Sequence, residues 1–470
     1  MLNKKMIFQN HQMIYKKIIT IIAFTGCLGT FSQTVKTKTS ANVPGSIPAV
    51  GYVKNLSDSA LLDLVQKQTF RYFWDFAHPV SGLARERSNV VSNYGLEATT
   101  TGGTGFGVMA IVVATERKWI GREEAVDRLL KIVNFLGKGI DRFRGAFPHF
   151  LDGATGRTIV FSAPYSSKDD GADLVETSFL VQGLLCVREY FTQNNPKETQ
   201  LRNKITWLWN DIEWNWFARD AGNVLSWHWS PNNGWAINNE IRGWNECLIT
   251  YVLAASSRNF AIDARTYYRG WTNGINFKNQ REYYGIKLPL GDDYGGPLFF
   301  SHYSFLGIDP RGLKDRYADY WEQNLNHTLI NREHCIRNPK KFKGYGPACW
   351  GLTASDNHRG YGAHSPTEDL GVISPTAALS AFPYTPEFSM AALKHFYNDH
   401  GNNIWSEFGF VDAFNETENW YAKSHLAIDQ GPIIVMIENY RSGLLWNLFM
   451  KIPEIQAGLK KIGFSSPYIK

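Results

Sequence analysis

The sequence has few cysteines and no short motif built from them. Five cysteines occur among 470 residues, and none forms the CxxC pair on which zinc ribbons and thioredoxin-like redox sites depend. We expect Cys27 to leave with an N-terminal leader or to carry lipid. Cys186 and Cys247 lie in apolar helical stretches and are predicted to be buried thiols. A disulfide among the later four is the alternative if the chain is exported.

The sequence also lacks a basic run. Its formal net charge is +6. Four of the 49 basic residues lie among residues 1–33, which contain no acidic residue. The rest of the chain therefore has 45 basic and 43 acidic residues and is close to neutral. A nucleic-acid-binding protein needs a basic stripe that neutralises several phosphates. The charge pattern therefore argues against nucleic acid as a partner.

Motifs for nucleotides and metals are missing as well. There is no Walker A, HExxH, EF-hand or GxSxG pattern. The stretch Gly102–Gly107 approaches GxGxxG, but Val108 stands where the last glycine is needed and no strand precedes it. We interpret it as a tight turn into a helix. No metal site is expected, because the loop histidines lack metal-ligand spacing; they are His228, His302, His358 and His364.

The N-terminus has the pattern of an export signal. Lys16-Lys17 precede an apolar run over 18–31, which is shorter than the roughly 20 residues that span a bilayer. We predict a signal peptide over 1–33, a linker over 34–55 and a periplasmic or secreted location. The stretch Phe24–Cys27 approximates a lipoprotein box, so lipid anchoring through Cys27 is a less favoured alternative. No later segment is long enough to cross a membrane.

Helical periodicity dominates the remainder, residues 56–470. Ser57 is a candidate N-cap, and apolar residues follow it at helical spacing. The last predicted helix begins at Gly431-Pro432, with proline at the first helical position. Long loops rich in Gly, Pro and aromatic residues separate the helices, which favours a single-domain α/α toroid with a cleft at one end. Further helices are predicted at about 104–118, 122–138, 173–192, 197–212, 239–260, 312–332, 386–399 and 431–449.

Aromatic residues are abundant, with 16 Trp among them. Flat rings in polar loops can stack on the apolar faces of sugars or nucleobases. Packing is the alternative for each of these side chains. The candidates in loops are Trp227, Trp229, Trp235, Trp350, Trp405 and Trp420.

Acidic residues cluster directly before an apolar helix. Asp169, Asp170, Asp173 and Glu176 fall within eight positions. If the segment is helical, Asp169 and Asp173 share a face, as do Asp173 and Glu176. Crowded carboxyls raise each other's pKa, which suits general acid catalysis. Helix capping is the alternative, because acids are favoured in a first turn.

Glu246 is the second acidic candidate. On a helix it shares a stripe with Ile249, Thr250 and Leu253 and faces inward. An inward carboxylate must be paired or functional. An ion pair with Arg242, four residues earlier, is the alternative.

The chain resembles glycoside hydrolase family 144, the endo-β-1,2-glucanases with a glycoamylase-like domain. The resemblance runs from about Leu56 to Phe464. It is strongest over Thr99–Val113, Arg144–Gly153, Asp173–Leu185, Leu225–Trp235, Gly243–Glu246, Gly295–Pro310 and Ile428–Trp446.

This resemblance implies an all-α (α/α)6 barrel and hydrolysis of β-1,2-glucan with anomeric inversion, without a cofactor. It points to Asp169, Asp173 and Glu246 as catalytic, with Asp170 and Glu176 in reserve. Ala172 departs from the glycine expected at this position of the family's acidic segment. We expect a monomer. The alternatives are an exo enzyme releasing sophorose, a hydrolase of another glucan, or a glucan-binding protein. Substrate contacts are expected from Glu176, His228, Trp229, Trp235, Arg242, Trp244 and Trp350.

Overall fold

The computed structural model describes residues 46–88, 94–161 and 166–469. The predicted signal peptide and residues 34–45 of the predicted linker lie outside these ranges. Residues 46–55 have no regular structure but lie against the folded domain. The carbonyl of Ile47 accepts a 2.6 Å hydrogen bond from Arg71 Nε, and the amide of Val53 donates to the Tyr397 hydroxyl at 2.8 Å.

The described residues are rich in α-helix. Their α-helices are α1 (Asp58–Trp74), α2 (Thr101–Glu116), α3 (Arg122–Leu136), α4 (Leu174–Tyr190), α5 (Pro196–Asn210), α6 (Leu248–Ser256), α7 (Ala264–Arg269), α8 (Tyr320–Arg337), α9 (Pro375–Leu379), α10 (Pro386–Asn398), α11 (Gly401–Ile404), α12 (Ala427–Ser442), α13 (Leu444–Met450) and α14 (Pro453–Lys461).

The helices alternate between two rings along the chain. Helices α2, α4, α6, α9 and α12 are buried around nearly their whole circumference, as expected for an inner ring. Two consecutive 3-10 helices, Leu298–Ser301 and Tyr303–Leu306, occupy the sixth inner position. Helices α1, α3, α5, α7, α8 and α10 bury one face and form the outer ring. The predicted (α/α)6 architecture is confirmed.

The strands are short and antiparallel. Strands β1 to β3 form one three-stranded sheet, and the others pair in twos. Their bounds are β1 (Ala98–Thr100), β2 (Phe150–Asp152), β3 (Thr158–Ile159), β4 (Ala172–Asp173), β5 (Ala218–Arg219), β6 (Val224–Leu225), β7 (His228–Trp229), β8 (Lys278–Tyr283), β9 (Ile286–Leu290), β10 (Ala354–Asn357), β11 (Gly360–Ala363), β12 (Trp405–Ser406), β13 (Gly409–Phe410), β14 (Phe414–Asn415) and β15 (Trp420–Tyr421).

Long segments gather at one end of the ring. Those that lead from an outer helix into the next inner helix run over 75–100, 137–173, 211–247, 338–374 and 399–426, whereas those leading out, such as 117–121 and 191–195, are short. The N-termini of the inner helices therefore meet the long loops. This is the end at which a functional site is expected.

The glycine-rich stretch Gly102–Gly107 was predicted to be a tight turn with no strand before it, and both expectations were wrong. It lies within α2 and follows directly on β1. A Cβ on Gly105 would lie 2.2 Å from the carbonyl oxygen of Phe179, and one on Gly183 would lie 2.0 Å from that of Gly105. The glycines are needed because α2 and α4 pack with their backbones in contact.

Three predicted helix starts were also wrong. Helix α8 begins at Tyr320, not near residue 312, because Asp319 caps it through hydrogen bonds from the amides of Trp321 and Glu322. Helix α6 begins at Leu248, not near residue 239, because β7 and a loop precede it. Helix α12 begins at Ala427 and contains Pro432 in its interior. A proline removes one backbone hydrogen bond, and the burial of α12 outweighs that loss. The helix ends at Gly443, whose φ of +71° is left-handed.

The four cysteines among the described residues, Cys186, Cys247, Cys335 and Cys349, are all buried free thiols. Their burial confirms the prediction for Cys186 and Cys247. No helix among the described residues has the length and apolar character needed to cross a membrane.

Candidate active site

Asp173 performs two structural tasks with one carboxylate. It pairs with His228 where β4 meets β7, and it is the N-cap of α4. Its Oδ1 accepts hydrogen bonds from the amides of Val175 (3.0 Å) and Glu176 (2.9 Å). Its Oδ2 lies 2.9 Å from His149 Nδ1. The capping interpretation therefore holds for Asp173, and the same side chain also belongs to a buried cluster of charged groups.

Asp169 completes this cluster from the loop before β4. Its side chain is 1% exposed, and its Oδ2 lies 3.6 Å from His228 Nε2. Asp173 Oδ2 lies 3.7 Å from the same nitrogen. Asp169 Oδ2 has no hydrogen-bond partner among the described residues. Because Asp169 lies outside α4, contact through His228, rather than a shared helix face, brings the two carboxyls together.

The pKa values within the cluster are driven apart. Burial, with the nearby charge of Asp173, raises the pKa of Asp169 to about 7. Burial also acts to raise the pKa of Asp173, but the hydrogen bond from His149 and the proximity of His228 outweigh it and hold that pKa below its usual range. Carboxyls with divergent pKa values in one site are typical of acid–base chemistry.

The two histidines differ in the same way. Burial alone would lower the pKa of His149, but the charge of Glu176 and the hydrogen bond to Asp173 raise it to about 9. Burial lowers the pKa of His228 to about 4. At neutral pH His149 is thus an imidazolium that stabilises the Asp173 carboxylate, and His228 is neutral.

Glu176 connects the cluster to the N-terminus of α2. Its Oε2 accepts hydrogen bonds from the amide of Gly102 at 2.7 Å and from the Thr100 hydroxyl at 3.3 Å. Burial raises the pKa of Glu176 in spite of these donors.

Glu246 lies in the turn that precedes α6, two residues before the helix begins. The hydroxyl of Ser304 donates to its carbonyl and accepts from the amide of Ile249 at 3.0 Å, which fixes the turn. Burial raises the pKa of Glu246 to about 8, and the charges of Glu176 and Asp173 add to this. The alternative of an ion pair with Arg242 is not formed, because Arg242 Nε bonds Glu240 at 2.7 Å.

The aromatic candidates separate by exposure. Trp229 and Trp235 are half-buried and pack around Trp216, with ring centroids 5.4 and 4.8 Å from it. Trp244 is 4% exposed and Trp350 is fully buried, so packing accounts for both. Of the tryptophans predicted to bind substrate, only Trp229 and Trp235 present surface that a sugar could contact.

Three residues could hold a cation. One ligand atom each from His149, Asp169 and Asp173 can lie within 4.8 Å of one another. One imidazole nitrogen and two carboxylate oxygens suit a hard or borderline metal ion, which would require His149 to be neutral.

Sequence reasoning missed His149 as a member of the site. His149 lies in the stretch Arg144–Gly153, which carried the family resemblance. It has no local sequence pattern that indicates its contact with Asp173.

The comparisons agree with this geometry. The Glycoamylase family matches residues 238–453. An endo-β-1,2-glucanase from Chitinophaga pinensis, solved with sophorotriose and glucose, is 57% identical, covers 88% of this chain and 100% of its own, and superposes with a TM-score of 0.85. An endo-β-1,2-glucanase from Talaromyces funiculosus, 9% identical over 83% of this chain and 87% of its own with a TM-score of 0.57, shows the same fold.

A curated relative from Parabacteroides distasonis is 48% identical over 427 residues, 87% of this chain. It is named an exo β-1,2-glucooligosaccharide sophorohydrolase acting at the non-reducing end, and this chain spans 58% of its length. Fold and site define the (α/α)6 class of glycoside hydrolases. Within that class, the chain belongs to glycoside hydrolase family 144, the glycoamylase-like family.

Proposed function

We propose that this protein is an endo-acting hydrolase that cleaves internal linkages of β-1,2-glucan, with inversion at the anomeric carbon. The observation that carries the proposal is the group of buried carboxyls with divergent pKa values at the N-terminal end of the inner ring. The endo relative from Chitinophaga pinensis, which this chain covers over its whole length, supports both the substrate and the mode of attack.

Glu246 acts as the general acid. Its pKa of about 8 keeps it protonated at neutral pH, as a proton donor to the leaving oxygen must be. Asp169, with a free Oδ2 and a pKa of about 7, exchanges hydrogen bonds or a proton with a sugar hydroxyl. In a 1,2-linked chain such hydroxyls lie beside the scissile bond and can relay the proton.

Asp173 and His149 position these groups. Both oxygens of Asp173 already hold hydrogen bonds, so its charge acts through His149 and the start of α4 rather than by proton transfer to substrate.

The exo release of sophorose is the second candidate, because the Parabacteroides distasonis relative carries that name. The two modes differ in products. Digestion of linear β-1,2-glucan, followed by mass analysis over time, gives a broad range of oligosaccharides for endo action and sophorose alone for exo action. A parallel panel of β-1,3-, β-1,4- and α-1,4-glucans tests the linkage, and cleavage of any of these in preference to β-1,2-glucan would overturn the proposal.

We also propose export and a monomeric state. The Lys16-Lys17 pair and the apolar run over 18–31 support cleavage near residue 33, and residues 56–470 then form one catalytic domain. N-terminal mass analysis of the mature protein tests cleavage and lipidation at Cys27. Light scattering tests the monomer.

A further inference from the structure

Four side chains with metal-binding atoms meet beside the β4–β7 pair. They are His149, Asp169, Asp173 and His228. His149 Nδ1 lies 2.9 Å from Asp173 Oδ2. His228 Nε2 lies 3.6 Å from Asp169 Oδ2 and 3.7 Å from Asp173 Oδ2. The four side chains come from three separate segments of the chain, so no spacing motif in the sequence indicates them.

The distances around His228 suit a shared metal ion better than hydrogen bonds. Both separations from its Nε2 exceed the roughly 2.7–3.2 Å of a hydrogen bond. Zinc binds imidazole nitrogen and carboxylate oxygen at about 2.0–2.2 Å in a tetrahedron, so that its ligand atoms lie about 3.3–3.6 Å apart. The measured separations of 2.9, 3.6 and 3.7 Å bracket this range, as expected for atoms that can share one ion.

Asp169 gives independent evidence for a ligand. The residue is 3% exposed, and its Oδ2 has no hydrogen-bond partner among the described residues. A buried carboxylate oxygen that accepts no hydrogen bond costs free energy unless something binds it. A cation held between Asp169 Oδ2 and His228 Nε2 would satisfy this oxygen.

Neighbouring groups hold the ligands in position. The amides of Val175 and Glu176 occupy Asp173 Oδ1, which leaves Oδ2 for an ion. The His149 ring packs against Phe161, with ring centroids 4.3 Å apart. The His149 side chain is 21% exposed, whereas the other three ligand side chains are at most 4% exposed. An ion therefore reaches the buried ligands past His149.

We propose that these four side chains form a zinc site, and that zinc bound there blocks hydrolysis. Two imidazoles and two carboxylates favour zinc over calcium or magnesium, which take about six or more ligands, mostly oxygen. The ion takes the place of the His149 ring proton, which passes to solvent. Zinc then occupies Asp169 and Asp173, so a sugar hydroxyl no longer reaches Asp169. The inhibition rests on the proposed function, whereas zinc binding does not.

Calorimetric titration with zinc chloride, after dialysis of the enzyme against a chelator, tests binding directly. We expect one zinc ion per chain in the wild type. Asp169→Asn keeps the shape of the side chain but loses its charge, so its Kd should be at least about tenfold weaker. His228→Gln, which removes a ligand from the other strand, should weaken Kd likewise. Zinc should raise the Tm of the wild type more than that of either variant, and calcium or magnesium chloride should not raise it.

The matched control is His395→Gln. His395 Nε2 lies 3.3 Å from His400 Nε2, and His395 Nδ1 lies 2.6 Å from Asp399 Oδ2, so this surface group also combines two imidazoles with a carboxylate. His395→Gln should keep the zinc affinity and the kcat of the wild type. A Kd that weakens in His395→Gln but not in Asp169→Asn places the zinc at the surface and overturns the inference.

Turnover of β-1,2-glucan by the wild type should fall as zinc is added, and a chelator should restore it. Zinc should raise KM and leave kcat unchanged, because zinc and the glucan compete for the same carboxylates. An enzyme that binds zinc but cleaves no β-1,2-glucan contradicts the proposed function alone. Glucan cleavage that zinc leaves unchanged or accelerates, or calorimetry without stoichiometric binding, overturns the zinc inference.

Discussion

Replacing Asp173 by asparagine and by alanine separates the structural and electrostatic effects of one carboxylate. Asparagine is as good an N-cap as aspartate, so Asp173→Asn should leave the start of α4 intact. Alanine cannot accept the two amide hydrogen bonds from Val175 and Glu176, and loss of a cap costs about 1 kcal/mol. In thermal unfolding at pH 9, where His149 loses its charge in the wild type, the Tm of Asp173→Ala should therefore be lower than those of the wild type and Asp173→Asn.

Both substitutions remove one of the charges that raise the pKa of His149 and leave that of Glu176 in place. In the wild type, the pKa of His149 is raised from 6.5 to about 9, so its contribution to stability is fully present below pH 6.5 and is lost as the pH rises through 9. That contribution is on the order of 3 kcal/mol at most, because the His149 side chain is 21% exposed. In both variants this decline in unfolding free energy between pH 6.5 and 9 should become smaller, because the contribution of Asp173 to the raised pKa of His149 is lost while that of Glu176 remains.

Activity should fall in parallel in the two variants, by about 10²-fold or more. Turnover of β-1,2-glucan at pH 6.5 measures this. If Asp173→Asn keeps wild-type activity and only Asp173→Ala loses it, the carboxylate is a cap alone, and the electrostatic account of the cluster is refuted.

Three further predictions use other parts of the molecule. Because burial raises the pKa of Glu246 to about 8, kcat of the wild type should decline above about pH 8. Glu246→Gln should lower kcat by about 10²- to 10⁴-fold and abolish that decline. If the pH–rate profile of Glu246→Gln keeps the wild-type decline above pH 8, Glu246 is not the general acid. Gly105→Ala should lower Tm or prevent folding, because its Cβ would lie 2.2 Å from the Phe179 carbonyl oxygen. A Tm equal to that of the wild type in calorimetry would contradict the close packing of α2 and α4. Tyr361 lies on β11, within the long segment 338–374 at the N-terminal end of the inner ring, and is 44% exposed. Tyr361→Ala should therefore raise KM and change product lengths at unchanged Tm. Tyr440, equally 44% exposed, lies on α12, and product analysis of Tyr440→Ala should show neither change.

The ring architecture could be predicted from the sequence because helical periodicity is a local signal. The acidic stretch Asp169–Glu176 was also visible, since four acids in eight positions are unusual before an apolar helix. Helix capping occupies only one oxygen of Asp173, because Oδ1 caps α4 whereas Oδ2 hydrogen-bonds His149. No local pattern could have shown this.

The contacts that define the site are long-range. His149 reaches Asp173 across 24 residues, and Glu176 bonds Gly102 across 74. The glycines of α2 were misinterpreted for a related reason: a glycine needed for a turn and one needed for close helix packing look alike in sequence.

The most direct test of the account is the anomeric configuration of the first product. Proton NMR of linear β-1,2-glucan during rapid hydrolysis resolves the new reducing end before it mutarotates. The account predicts β-1,2-linked oligosaccharides that appear first as the α-anomer, with no product from Glu246→Gln over the same period. Initial release of the β-anomer, or wild-type turnover by Glu246→Gln, would contradict it.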